Sequence, residues 1–248
     1  MKLEVLSLEG LPEVAPGDDL ARLIIDGSHA VGVDLRGGDV LVVAQKIVSK
    51  AEGRLRNLAE VEPSAQAREL AAKLGQDARL VQVVLDESVR IVRAERVLIV
   101  ETRHGFVCAN AGVDHSNVPQ DDTVCLLPED ADRSATALRD RILELTGAAV
   151  GVVVSDSFGR PWRIGLENVA LGVAGLAALL DYRGQPDDYG RELKATVMAV
   201  ADELAAAAEL VMGKTARVPV ALIRGYHPEA PEGRGRDLIR PADLDLFQ

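Results

Sequence analysis

The sequence predicts a mixed α/β (α+β) chain, and three observations carry that expectation. Short apolar runs of buried-strand type recur at residues 39–44 (DVLVVA), 149–154 and 218–223. Between them lie stretches with helix start and stop signals: residues 63–74 are followed by Gly75, and residues 131–145 are followed shortly by Gly147. Hairpin signals such as His104-Gly105 interrupt this alternation, which is too irregular for a doubly wound dinucleotide-binding sheet or a barrel.

Taken in order, residues 2–8 alternate weakly and read as a strand. Pro16-Gly17-Asp18 stops it and offers an N-cap for a helix whose face carries Leu20, Leu23, Ile24 and Val31. The strand at 39–44 leads into a polar, cationic segment, 45–54. A helix over 63–74 follows, with Pro63 near its first turn. Residues 79–103 are rich in Val and Ile; 97–100 is the clearest strand there, with 106–109 as its hairpin partner. A loop over 110–119, a strand around 123–127 and a helix over 131–145 come next. The strand at 149–154 runs into Ser155-Asp156-Ser157 and then a loop over 158–165. Residues 169–180 fit strand and helix equally. The strongest helical stripe (Leu193, Val197, Val200, Ala201, Leu204, Ala208, Val211) predicts a helix over 191–212. Residues 218–223 close as a strand, and the Pro/Gly/Arg-rich tail reads as loosely ordered.

Composition narrows the function. The 248 residues carry a formal net charge of −11, which argues against general affinity for nucleic acid or an anionic membrane. Aromatics are only 3%, so Ala, Val, Leu and Ile must fill the core. No signal peptide and no apolar stretch of membrane-spanning length is found, and Cys108 and Cys125 lack a CxxC pattern. A cytoplasmic protein with buried free thiols is expected.

Four segments carry chemistry, and a fifth only mimics it. Gly213-Lys214-Thr215 looks like the end of a P-loop, but the first glycine of that pattern falls at Ala208 and a helix precedes instead of following. The run 110–117 places Asp114, Ser116 and Asn117 close together, and Ser155-Asp156-Ser157 ends a buried strand. Such oxygen donors suit Mg²⁺ or Mn²⁺ completed by phosphate oxygens, although Asp, Asn, Ser and Gly also dominate ordinary turns. Lys46, Lys50 and Arg54 leave the end of a buried strand and form either a triphosphate cluster or a solvated charged loop. In 157–165, Arg160 and Arg163 can fork onto phosphate or carboxylate, and Trp162 either stacks on a planar ligand or packs the loop down.

Together these strings closely resemble the coenzyme F-420:γ-glutamyl ligases. The likeness rests on 45–53 (QKIVSKAEG), 109–117 (ANAGVDHSN) and 155–163 (SDSFGRPWR), and extends through 201–204, 209–213 and 219–225. It implies an amide-forming ligase that joins L-glutamate, and further γ-linked glutamates, to the deazaflavin F-420 precursor. GTP would be the cosubstrate, Mg²⁺ or Mn²⁺ the divalent ion, and K⁺ an assisting ion. An acyl phosphate would be the intermediate, with GDP and phosphate released. By matching position, Asp114, Asp156 and Ser157 would bind metal. Leu11, Pro12, Glu13, Val14, Gln45, Lys50, Asn117, Met212 and Gly213 would contact GTP. Gln45 stands where relatives often carry Ser, and Ser157 where some carry Thr. Arg160 and Arg163 are expected on phosphates or the acidic tail. The resemblance further implies one ligase domain over 1–248 and an unusual fold forming an intertwined homodimer; some relatives carry a C-terminal nitroreductase-like domain, and none is expected within these 248 residues. The competing readings are a metal-dependent phosphohydrolase and a non-catalytic nucleotide- or deazaflavin-binding protein.

Overall fold

The computed structural model describes residues 2–116, 122–227 and 230–245. Its first part runs β1 (Glu4–Ser7), α1 (Leu20–Ala30), β2 (Val40–Ala44) and α2 (Gln45–Ala51). Then follow β3 (Leu55–Asn57), α3 (Ala65–Leu74), α4 (Ala78–Asp86), β4 (Ser88–Ala94), β5 (Leu98–Thr102), β6 (Val107–Ala109) and β7 (Thr123–Cys125). The remainder is α5 (Ala131–Thr146), β8 (Gly151–Arg160), β9 (Arg163–Ala174), β10 (Leu180–Asp181), β11 (Val197–Met198), α6 (Val200–Met212) and β12 (Val220–Arg224). The class is mixed α/β, as the sequence predicts.

A five-stranded sheet in the order β1-β12-β2-β8-β9 forms the centre. β2 and β8 pair parallel, and the other neighbours pair antiparallel. The two-residue period of a strand sorts its side chains. Leu41, Val43, Val152 and Val154 pack with Ile24 of α1 and with Ala135, Leu138 and Ile142 of α5. Val40, Val42 and Val153 pack on the other face with Ala201, Leu204, Ala205 and Ala208 of α6. The sheet is covered on both faces, which is why its central strands read as unbroken apolar runs. Gly172 of β9 permits one close approach: a Cβ there would lie 2.1 Å from the Ala131 carbonyl oxygen at the start of α5. A third cluster, built from α3, α4, β5 and their neighbours, belongs to residues 55–127, an excursion from the main sheet. Arg54 clasps its neck, accepting from Leu126 N–H through its carbonyl, donating to the Leu127 carbonyl and pairing with Glu87 at 2.9 Å.

Several elements differ from the expectation. The cationic segment after β2 is the helix α2, because Ile47 and Val48 bury against the core and Ser49 donates to Gln45 within it. The start of the Val/Ile-rich stretch is α4, whose Leu80, Val81, Val83 and Val84 form a buried face. The loop expected over 158–165 is the tip of a long β8–β9 hairpin, paired as far as Arg160 with Arg163. The undecided stretch after it is strand through Ala174. The helix expected over 191–212 begins only at Val200, since Val197 pairs with Asp181 in β11–β10. The tail is pinned: Asp132 accepts from the Val173 N–H of β9 and the Gly235 N–H.

At the sheet edge where β2 starts and β12 ends, Asp39 is 2% exposed. Arg224 grips both its oxygens at 2.8 and 2.7 Å, and the Arg36 N–H donates to it. Removing one member strands a buried charge. Arg224→Met is expected to cost about 3 kcal/mol of stability, read as a lower urea midpoint with an unchanged slope.

Candidate functional site

β2 and β8 run side by side in the same direction, so both end at one edge of the sheet, with Ala44 opposite Ser155. Crevices outside the carboxyl ends of parallel strands are where α/β proteins bind ligands. From Ala44 the chain turns directly into α2, and from Ser155 it continues to Asp156 and Ser157. Asp114 reaches the same edge from the excursion by a costly backbone. Asn110, Ala111 and Gly112 have φ of 51°, 53° and 70°, a left-handed run that only the glycine adopts freely. The turn is closed by paired main-chain hydrogen bonds between Asp114 and Cys125, at 3.0 and 2.9 Å.

Lys46 of α2 donates to Asp114 Oδ2 at 2.6 Å and to the carbonyl and hydroxyl of Ser116 at 2.8 and 2.7 Å. Burial works to raise the Asp114 pKa, but the bonds from Lys46 and Ser116 prevail and hold it below the ordinary value. Asp156 behaves in the opposite way. Its burial, with Asp114 adding repulsion, pushes the carboxyl up to about 6 against the Ser157 N–H and the pull of Lys46 and Lys214. Cys108, buried and facing the field of Asp156, is pushed up to about 12. Cys108 and Cys125 are both buried free thiols, as the sequence predicts.

Strand alternation separates the two neighbours of the SDS string. Asp156 continues the Val152–Val154 face toward Asp114, whereas the Ser157 hydroxyl lies on the α6 side. There it donates to Asn168 Oδ1 at 2.6 Å and accepts from Lys214 Nζ. Asn168 in turn donates to Glu209 of α6 at 3.0 Å, and Lys214 pairs with Glu209 at 3.4 Å. Lys214 is thus a site residue missed by the sequence reading, which weighed it only as part of a failed P-loop. A lone lysine just past a long helix was the available signal.

The other expected contacts divide. Lys50, 5% exposed, pairs with Glu13, so the 11–14 segment and α2 do meet. Val14 is buried in the core, and Leu11 packs against it. Pro12 is exposed. Gln45 is 2% exposed and accepts from Ser49. Met212 is buried under the sheet, and Gly213 caps α6 with φ 58°. Asn117 lies outside the described residues. Arg54, spent on the excursion neck, is not part of a shared cluster with Lys46 and Lys50. Arg160 pairs with Glu167 at 2.8 Å and, like exposed Arg163, sits beyond Asp156 on the hairpin arm. Four residues of extended strand set Arg160 roughly 13 Å past Asp156. Trp162, 79% exposed at φ 59°, stands at the hairpin tip.

Among the described residues no group of three or more His, Cys, Asp or Glu side chains converges on one point. A hard divalent ion needs less: one or two carboxylates, with phosphate and water oxygens completing its shell. Asp114 and Asp156 offer that set, and the Lys46 ammonium already stands beside Asp114 as a cation. The residues fit such an ion. No helix among the described residues is long and apolar enough to cross a membrane.

The parallel strands of the mixed sheet thus end at a polar, charged edge, an arrangement open to more than one class of ligand. Comparison narrows this. Residues 10–225 match the model of the F420-0:Gamma-glutamyl ligase family. The chain is 47% identical over 253 residues to the Coenzyme F420:L-glutamate ligase of Methanothermobacter thermautotrophicus, covering 100% of both chains. It is 48% identical over 255 residues to that of Methanopyrus kandleri (99% of both), and 45% identical over 251 residues to that of Methanocaldococcus jannaschii (100% and 97%). The chain belongs to the F420-0:gamma-glutamyl ligase family.

A carboxyl whose pKa rises on folding costs stability above the folded value and ceases to cost it as pH falls toward the unfolded one. For Asp156 that window runs from about 6 down to its ordinary 3.8. Asp156→Asn is therefore expected to stabilise the ligand-free protein at pH 7.5 by up to about 3 kcal/mol, the advantage shrinking as pH drops to 4. Urea unfolding of both proteins at pH 7.5, 5.5 and 4 measures this.

Proposed function

We propose that this protein is a GTP-dependent ligase that joins L-glutamate to the F-420 precursor, F-420-0, and then adds further γ-linked glutamates. The observation that carries the reading is the convergence of Asp114, Asp156 and Lys46 at one sheet edge, in a chain of this family. In this reading GTP phosphorylates the terminal carboxylate of the precursor. The α-amino group of L-glutamate attacks the acyl phosphate, forming the amide and releasing phosphate beside GDP. The activation is necessary because a carboxylate is a poor electrophile and phosphate a good leaving group.

Asp114 and Asp156 would hold Mg²⁺ or Mn²⁺, which supplies charge neutralisation for the triphosphate. Lys46 and Lys50, four residues apart on α2, present two cations along one helix face. Lys50 and Glu13 join α2 to the 11–14 segment, which supports both as one side of a GTP pocket with Gln45 beneath it. Lys214, with Ser157, Met212 and Gly213 around it, supplies a further cation for phosphate oxygens from the α6 side. K⁺ belongs to this reading as an assisting ion.

The active form is an intertwined cytoplasmic homodimer in this proposal. Its support is the hairpin arm, where Trp162, Ile164 and Leu166 are 79%, 101% and 67% exposed. A run of large apolar groups on a projecting arm suits burial against a second copy. There Arg160 and Arg163 would meet the acidic tail of a substrate bound by the partner. Ile164→Glu is expected to convert the dimer to monomer by light scattering; a dimer that persists would remove the arm from the interface.

Incubation with GTP, Mn²⁺, K⁺, L-glutamate and F-420-0 is expected to add one or more glutamyl units to the precursor, read by mass spectrometry. GTP breakdown without that gain would indicate a phosphohydrolase, and binding without turnover a carrier. Asp114→Asn and Asp156→Asn are each expected to lower turnover at least on the order of 10³-fold with the fold retained. Lys50→Ala is expected to raise the KM for GTP roughly tenfold, about 1.4 kcal/mol of binding.

A further inference from the structure

We propose that the cavity beside the start of α5 is the pocket for the incoming amino acid, an α-amino acid with a second carboxylate. This rests on the ligase reading above and goes beyond it by assigning the second substrate a place. The cavity encloses about 300 Å³ between the β5–β6 turn, the residues that lead into α5, and the C-terminal tail. Arg103, His104 and Phe106 form one wall, Glu129 a second, Arg236 and Ile239 a third. Gly105, at φ 93°, lets the tail close in: a Cβ there would lie 3.2 Å from Ile239.

Its position connects it to the two aspartates. The Phe106 ring meets the Phe158 ring edge-on, with centroids 6.1 Å apart. Phe158 is two residues beyond Asp156 and on the same face of β8, which is about 7 Å along the strand. Two residues from Phe106, Cys108 lies in the field of Asp156. The path from the cavity wall to Asp156 therefore runs across one ring contact and one strand repeat.

Its chemistry is selective once spent groups are set aside. Arg236 is taken up by Asp132 and Asp130 at 3.6 and 3.9 Å. Three polar groups remain. The Arg103 guanidinium has no partner among the described residues. The Glu129 side chain, 81% exposed, is 3.7 Å from Arg54, whose charge Glu87 already balances at 2.9 Å. His104 Nδ1 is buried with no hydrogen-bond partner. A cation, an anion and an unpaired ring nitrogen around apolar Phe106 and Ile239 complement two carboxylates, an ammonium and the methylenes joining them. A nucleoside triphosphate is a poorer match, because Glu129, Asp130 and Asp132 would face its phosphates.

Arg103→Gln and Glu129→Gln test this, both at exposed positions. Each is expected to raise the KM for L-glutamate at least tenfold while the KM values for GTP and F-420-0 stay within twofold. Calorimetric titration of L-glutamate into wild type loaded with a non-hydrolysable GTP analogue and Mg²⁺ is expected to show binding that both variants weaken. Ligation with an unchanged glutamate KM in both variants would overturn the pocket and leave the ligase reading standing. A wild type that forms no amide yet binds L-glutamate through Arg103 would do the reverse. A shift in the GTP or F-420-0 KM instead, or an inactive wild type that binds no L-glutamate, would also overturn the pocket.

Discussion

Parallel pairing of β2 with β8 is the constraint from which the site follows. Because Val43 lies opposite Val154 and Ala44 opposite Ser155, both chains leave the sheet at the same edge. One continues as a helix bearing Lys46 and Lys50, the other as a strand bearing Asp156 and Ser157. An antiparallel pairing would send these two sets to opposite ends of the molecule. The parallel alignment is held by apolar packing on both faces: Leu41, Val43, Val152 and Val154 beneath α1 and α5, Val40, Val42 and Val153 beneath α6. Asp114 is placed by the separate core of the excursion, where Ala111 and Val113 are buried and Asp114 pairs with Cys125.

The acidic balance of the chain makes this geometry more informative. With a net charge of −11, phosphate binding needs cations gathered at one place. The structure gathers Lys46 and Lys50 on one side of the sheet edge and Lys214 on the other. Each is paired with an acid (Asp114, Glu13 and Glu209). These links join segments 68, 37 and 5 residues apart. Arg54, by contrast, is consumed by Glu87 and the Leu127 carbonyl and serves the architecture.

Much of the fold was legible because its strongest elements have no alternative. DVLVVA can hardly be solvent-exposed, and Gly75 and Gly147 adopt the left-handed conformation that ends α3 and α5. What was hidden lay in tertiary contacts. Leu80, Val81, Val83 and Val84 suit a strand by composition, and only packing against α3 and β5 makes them helical. Leu193 and Val197 lie at helical spacing from α6 yet belong to the chain before it. Nothing local announces that β12 inserts between β1 and β2. In the site, Asp114 and Asp156 were visible as polar groups at the ends of apolar strands. The Lys46–Asp114 bond crosses 68 residues and was not. That the Ser157 side chain turns from Asp156 follows from strand alternation, but only once β8 is known to run on past Val154.

The two ends of the sheet contrast how one residue type is used. Asp39 and Asp156 are both carboxylates set into the same sheet. Arg224 and the Arg36 N–H satisfy Asp39 fully, and that pair can be read as architecture. At Asp156 burial, with repulsion from Asp114, outweighs the Ser157 N–H and the fields of Lys46 and Lys214, and raises the pKa to about 6. A protein selected for stability alone would replace such a group with an amide or an apolar residue. Its retention, beside a strained turn that carries a second carboxylate, is expected where a bound cation completes the charge balance. The energetic defect and the proposed chemistry therefore fall on the same atoms, and this coincidence, more than either aspartate alone, supports the proposal that the reaction is centred there.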